Sequence, residues 1–298
     1  MENKKENNND NVIAVVHSRD NDGHCCGAII KHKYPNAKLI GFDYGQELNL
    51  ESDDLGKPVI MADVSLDMPD MLKLAEKSNW QFTWIDHHKS KIDDYYRFIG
   101  DGETFCKAVL EDGVSACEGT WKYLFPNEPM PRAILLLGEY DTWRRKDLNR
   151  WENEILPFQF GMRMICNSPE TFPTYLFNNN EEDIIEIIKA GKTILKYQSQ
   201  VNESACKSAF EYEFEGLRCI CLNGGGFNSD VFKSVYDESK HDIMMPFKYD
   251  GKSKQWIISI YSTKKDIDCS ELARKYKGGG HFSAAGMQVN DIRDIFKI

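Results

Sequence analysis

Short apolar runs ending in polar, often glycine-containing loops alternate with amphipathic stretches over the first ninety residues. Val12–His17 (VIAVVH) leads straight into polar residues, the pattern of a buried strand. Gly23–Lys31 has small residues and then Ile29–Ile30, which suits a helix packed close to that strand. Lys38–Asp43 and Pro58–Val64 read as the next strands. In Asp67–Ser78, Met68, Met71, Leu72 and Ala75 share one helical face, with Asp67 as the expected cap. Gln81–Ile85 is a fourth strand. Strands alternating with helices predict parallel pairing in a layered α/β domain.

Further along, Ser115–Leu124 and Pro131–Tyr140 read as helices, and Trp151–Cys166 as a helix interrupted at Pro157. Glu181–Val201 is a long amphipathic helix with Ile184, Ile187, Ile188, Ile194, Leu195 and Val201 on one side. That face is expected to meet the core and link two domains; a homodimer interface is its other use. From about Phe210 the pattern runs strand (Leu217–Leu222), helix (Ser229–Glu238), strands (Ile243–Tyr249 and Trp256–Tyr261) and a helix (Ser270–Tyr276) entering GGGH. The expected organisation is a polar disordered tail (1–10), an α/β domain with a parallel sheet (11–180), a linking helix (181–208) and a smaller α+β domain (209–298). The active site is expected in the cleft between the two domains.

Composition narrows the function classes. At 298 residues and 41% hydrophobic, the chain can build a substantial core without a metal or disulfide. No apolar run approaches the ~20 residues of a membrane span, and the polar N-terminus lacks the apolar stretch of a secretory signal. Nine cysteines, an odd number with no CxxC pair, suit buried thiols in a reducing cytoplasm. The net charge of −10, with no Lys/Arg cluster, argues against a long duplex partner, because phosphate neutralisation supplies most of such affinity. A phosphate compound would be met locally, which favours a small one.

Four segments gather carboxylates and imidazoles. They are HSRDNDG with His17, Asp20 and Asp22; MADVS with Asp63; IDHHKS with Asp86, His87 and His88; and GEYDTW with Asp141 at the end of an apolar helix. The first three lie where predicted strands end, and ligands of open parallel sheets bind outside the carboxyl ends of the strands. Carboxylates crowded into one crevice repel, and some must stay protonated. Divalent cations remove that conflict, since carboxylate oxygens and neutral imidazoles are their ligands. Two such ions about 3.5–4 Å apart lower the pKa of a water and clamp a phosphoryl group in displacement.

In this order the segments resemble the four motifs of the DHH phosphoesterase superfamily. Gly278, Gly279, Gly280 and His281, followed by Ala284–Gly286, resemble the glycine-rich signature of that family's second domain. The likeness runs from about Val12 to Val289 and is nearest the oligoribonuclease and cyclic-nucleotide phosphodiesterase branch.

The resemblance implies that His17 and Asp20 bind one Mn²⁺, that Asp22, His87 and Asp141 bind another, and that Asp63 bridges them. The donor set also accommodates Mg²⁺ or Co²⁺. Spacing within the first motif varies across the family; here His17 precedes Asp20 by three residues. The likeness further implies that His88 faces the substrate phosphate or leaving oxygen and that Asp86 orients an imidazole.

Gly278–His281 would offer backbone N–H groups to a terminal phosphate or simply stop the helix after Tyr276, and Arg19 would contact phosphate or extend into solvent. The expected activity is metal-dependent hydrolysis of short oligonucleotides or small cyclic or linear nucleotides. A pyrophosphatase or exopolyphosphatase and a non-catalytic nucleotide sensor are the alternatives. Gly224–Gly226, before Asn228 and Ser229, is a plain loop or a phosphate loop. His24, His32 and His241 lie outside the constellation.

Overall fold

The computed structural model describes residues 11–297, so the expected tail lies outside the described residues. The chain divides into two compact units, one ending at Leu195 and one beginning at Lys196, a division that falls inside the helix Glu181–Ala205.

The first unit is built on a parallel five-stranded sheet: β1 (Ile13–His17), β2 (Lys38–Phe42), β3 (Val59–Ala62), β4 (Phe82–Asp86) and β5 (Lys107–Leu110), in the order β2-β1-β3-β4-β5. Alternate residues serve opposite faces. Ala14 and Val16 pack on one side with helices Asn21–Lys33, Ala116–Leu124 and Arg132–Asp141. Ile13 and Val15 pack on the other with Met71, Leu74 and Tyr95 from helices Met68–Lys77 and Lys89–Ile99. Burial on both faces is why these strands read as unbroken apolar runs.

The expected α/β class holds, with local corrections. β5 was not expected; it is four residues long and only partly buried. Asp67 stands at its helix start but makes no capping bond. The irregularity expected at Pro157 takes the form of a π-helical turn, Trp151–Ile155, that leads into Leu156–Ile165 with the proline in its first turn.

The second unit holds a mixed six-stranded sheet in the order β10-β11-β9-β8-β7-β6. Its strands are β6 (Phe210–Phe214), β7 (Leu217–Asn223), β8 (Ile243–Asp250), β9 (Gln255–Tyr261), β10 (Gly279–His281) and β11 (Ala284–Val289). β7 and β8 run parallel and the other pairs antiparallel.

The helix expected over 229–238 is only a 3₁₀ segment, Ser229–Ser234. Asp237 accepts from the Ser239 N–H and hydroxyl, a local turn that competes with helical bonding. Within the run Gly278–His281, only Gly278 lies outside a strand. The rest forms β10, paired with Ala284–Gly286 at one edge of the sheet. Gly280, at φ 146°, lies 2.5 Å from Ala285 Cα by the position a Cβ would take, so no side chain fits.

Candidate metal centre

Strand register assembles the site. Val16, Ala62 and Ile85 are neighbours across β1, β3 and β4. The next residues, His17, Asp63 and Asp86, therefore emerge side by side at the carboxyl ends of adjacent strands. This is where the strand order reverses, the usual ligand position in such sheets.

Asp20 caps the helix that follows β1, accepting from Gly23 N at 3.0 Å. Gly23 must be glycine: a Cβ there would sit 2.2 Å from the His17 carbonyl oxygen. Asp63 adopts φ 62°, a left-handed backbone that turns its buried carboxylate into the cluster. Asp22, also buried, accepts from Ala116 N and Cys117 N at 2.9 Å each, at the start of helix Ala116–Leu124. These N–H groups have no partner within their own helix, and Asp22 supplies one. Asp141 is the last residue of Arg132–Asp141.

Side chains from all four segments meet. His17 Nδ1 lies 2.8 Å from Asp20 Oδ2 and 3.5 Å from Asp63 Oδ2. His87 Nε2 lies 3.3 Å from Asp63 Oδ1, 3.2 Å from Asp141 Oδ2 and 3.8 Å from Asp22 Oδ2. Asp63 thus turns one oxygen to each imidazole. Asp86 Oδ1 accepts from His87 N (2.7 Å), His88 N (3.1 Å) and His88 Nδ1 (2.7 Å), leaving His88 partly exposed.

The electrostatics without a cation are unfavourable. Burial, with the Asp22 charge, pushes Asp63 far above the carboxylate range. The same two causes raise Asp141 to about 8. Burial also opposes ionisation of Asp20, but contact with His17 holds it at about 2. Asp20 and then Asp63 push His17 up to about 10.

Four buried atoms at the cluster (His17 Nδ1, Asp63 Oδ2, His87 Nε2 and Asp141 Oδ2) have no aligned hydrogen-bond partner among the described residues. Buried polar atoms without partners in a ring of oxygen and imidazole donors are what cation ligands look like without their ion. His17, Asp20 and Asp63 form one group able to hold a metal, and Asp22, His87 and Asp141 another. The residues present therefore fit divalent cations.

Neither Arg19 nor Gly278–His281 is among the cation-ligating groups of the described residues. Arg19 Nε donates to Asp43 Oδ2 at 2.6 Å, and its side chain is 70% exposed. Gly278–His281 belongs to the second unit. Sequence reading missed Asp43, which follows β2, lies 3.7 Å from His17 Nε2 and fixes Arg19. Its signal was the one used for Asp63, a carboxylate just past a strand end. Also missed was Glu118, buried and bonded to Arg144 Nη2 at 2.5 Å, which ties the loop after Asp141 to the helix that holds Asp22.

No protein-family model matches the chain. Uncharacterized protein R106 of Acanthamoeba polyphaga mimivirus is 26% identical over 244 residues, 80% of this chain and 54% of that protein. Oligoribonuclease NrnB of Bacillus subtilis (strain 168) is 22% identical over 223 residues, 70% of this chain and 52% of that protein. The chain spans about half the length of these curated relatives. Among solved structures, the pGpG-specific phosphodiesterase PggH from Vibrio cholerae matches over 95% of both chains, with TM-score 0.56 and 11% identity.

Fold and site define a two-domain α/β protein with an Asp/His cation cluster at the carboxyl ends of a parallel sheet. In fold and in the order of its site residues the chain resembles the DHH phosphoesterase superfamily, and Asp86-His87-His88 matches that family's DHH triplet.

Proposed function

We propose that the chain is a metal-dependent phosphodiesterase hydrolysing short oligonucleotides or small linear or cyclic nucleotides to mononucleotides. The observation that carries this reading is Asp63, whose two carboxylate oxygens face separate cation-ligating groups. His17 and Asp20 would hold one ion, Asp22, His87 and Asp141 the other, and Asp63 both. The resemblance favours Mn²⁺. A bound pair supplies Lewis-acid activation of a phosphoryl group and of the attacking water.

The protein's own groups do the rest. Asp86 accepts the Nδ1 proton of His88 and so fixes its tautomer. His88 Nε2 then faces the substrate, giving a proton to the leaving oxygen when the ring is charged. Asp22, held by two backbone N–H groups, keeps its position as cations come and go. Arg19, steadied by Asp43, would contact phosphate from the first-motif loop. The backbone of edge strand β10, with the exposed His281, would bind a terminal phosphate of the substrate. NrnB and PggH, named for an oligoribonuclease and a dinucleotide phosphodiesterase, support the substrate class.

The test is a hydrolysis panel with Mn²⁺, covering dinucleotides, pentanucleotides, cyclic mono- and dinucleotides, 3′-phosphoadenosine 5′-phosphate and pyrophosphate. Mononucleotide release from diesters is expected. Orthophosphate from pyrophosphate with every diester intact would refute the proposal, as would no turnover at all.

A further inference from the structure

A cleft of about 320 Å³ opens beside the cation cluster, between the first-motif loop and helix Leu156–Ile165. Arg19, Asp20, Asn21, His24, Gln159 and Arg163 are among its lining residues. Its volume is in the range of small-ligand sites. Asn21 and Gln159 are only 4% and 5% exposed. Asn21 Nδ2 and Gln159 Oε1 are buried without a hydrogen-bond partner among the described residues. Two buried amides left unmatched in one cleft call for a ligand that matches them.

The chemistry of that ligand follows from the amides. Whichever way they are turned, each offers one donor group and one acceptor. A phosphate carries acceptors alone, so it could meet the amino groups but would leave the Gln159 carbonyl oxygen unmatched. A nucleobase edge, with an amine or N–H beside a ring nitrogen or carbonyl, answers both.

The walls agree. Arg163 lies over the Phe160 ring at 4.7 Å and donates to Tyr140 Oη at 3.2 Å, which presents a flat cationic surface to a base. His24 is already engaged, with Nε2 3.1 Å from the Ser18 carbonyl and Nδ1 3.4 Å from Cys166 Sγ, and serves as a fixed wall. Asp20 belongs to both cleft and cluster. A base seated here is therefore part of the nucleotide whose phosphate meets the cations.

We infer that this cleft is a nucleobase subsite in which Asn21 and Gln159 read the base edge. The inference rests on the phosphodiesterase reading for its substrate but is tested by binding. Calorimetric titration of the full chain with Mn²⁺ would compare adenosine 5′-monophosphate with ribose 5-phosphate, which differ only by the base. The wild type is expected to bind the nucleotide about tenfold more tightly or better.

In Gln159→Leu that preference falls to about twofold or less, since the acceptor is lost; Gln159→Met, closer in shape, replaces it if leucine prevents folding. Equal affinity of the wild type for both compounds overturns the subsite, and so does a base preference that survives in the variants. Diester hydrolysis with no base preference would sink the subsite alone. Base-dependent binding with no hydrolysis of any diester would sink the phosphodiesterase reading alone.

Discussion

Replacing Asp86 with alanine unties three hydrogen bonds at one buried atom. Oδ1 accepts from two backbone N–H groups, of His87 and His88, and from the His88 ring. Asp86 is 2% exposed, so the two backbone donors lose their partner where water enters poorly. An unsatisfied buried donor costs about 1–3 kcal/mol, and a bond to a charged acceptor is worth about 1.5–3 kcal/mol. His88 is 40% exposed in its side chain, so water recovers part of the third bond. The sum is a loss of about 3–5 kcal/mol for Asp86→Ala. Asp86→Asn keeps an oxygen acceptor in place and should cost about 1 kcal/mol.

Urea unfolding followed by tryptophan fluorescence measures both. Trp80, Trp84, Trp121, Trp143 and Trp151, five of the six tryptophans, lie in the first unit, so the signal reports chiefly on it. A chelator must be present, because a bound ion adds stability by mass action and would mask the local term. With Mn²⁺ restored, loss of His88 orientation should lower diester turnover about 10–100-fold in the alanine variant and less in the asparagine variant, which keeps the acceptor. An alanine variant within about 0.5 kcal/mol of wild type would refute the claim that this carboxylate holds the turn.

Asp63→Asn retains the left-handed backbone, which asparagine tolerates, but replaces one ligating oxygen with an amide nitrogen. Mn²⁺-dependent hydrolysis should drop to background, and calorimetry should find weaker or fewer ions; wild-type turnover would exclude a shared ligand. Gly23→Ala drives a methyl to within 2.6 Å of His17 Cβ. An overpacking cost of about 1–3 kcal/mol should lower the melting temperature by about 2–4 °C per kcal/mol, and an unchanged melt would sink that packing argument.

In the second unit, Arg218 first and then Lys264 hold the Asp242 carboxyl well below its ordinary value. A depressed folded pKa stabilises above the unfolded value and is lost on acidification. Hydrogen exchange of the β8 amides should therefore speed up below about pH 4. Asp242→Asn should flatten that dependence, and an identical pH profile would refute it.

Most of the candidate cation cluster was legible because its side chains sit at strand ends, where an apolar run stops on a carboxylate or imidazole. Asp63 and Asp86-His87-His88 needed only the β3 and β4 runs to be placed. What could not be read was how separate pieces hold one another. Asp22 takes its two hydrogen bonds from Ala116 and Cys117, more than ninety residues away. The Ser115–Glu118 capping box marks a helix start but not the carboxylate that meets it.

Strand β6, FEYEF, alternates apolar and acidic residues in a pattern that was readable and overlooked. β5 and β10 are too short, and β10 too rich in glycine, for periodicity to register. Their strand character comes from neighbours with free edges, not from their own residues.

The cost of the site explains how the fold is organised around it. Asp20, Asp22, Asp63 and Asp141 stand near two imidazoles, and burial together with repulsion from the Asp22 charge opposes ionising Asp63 and Asp141. A flexible set of carboxylates would relieve that repulsion by moving apart. Here each is tied: Asp20 to the N–H of Gly23, Asp22 to a helix start, Asp63 by its left-handed turn and Asp141 by the end of its helix. The ties prevent relaxation, so Asp63 and Asp141 hold protons until cations displace them. Binding then needs little rearrangement of the ligands, and the affinity otherwise spent on ordering them is kept. The same rigidity makes Asp86 and Gly23, neither expected to touch an ion, sensitive to substitution.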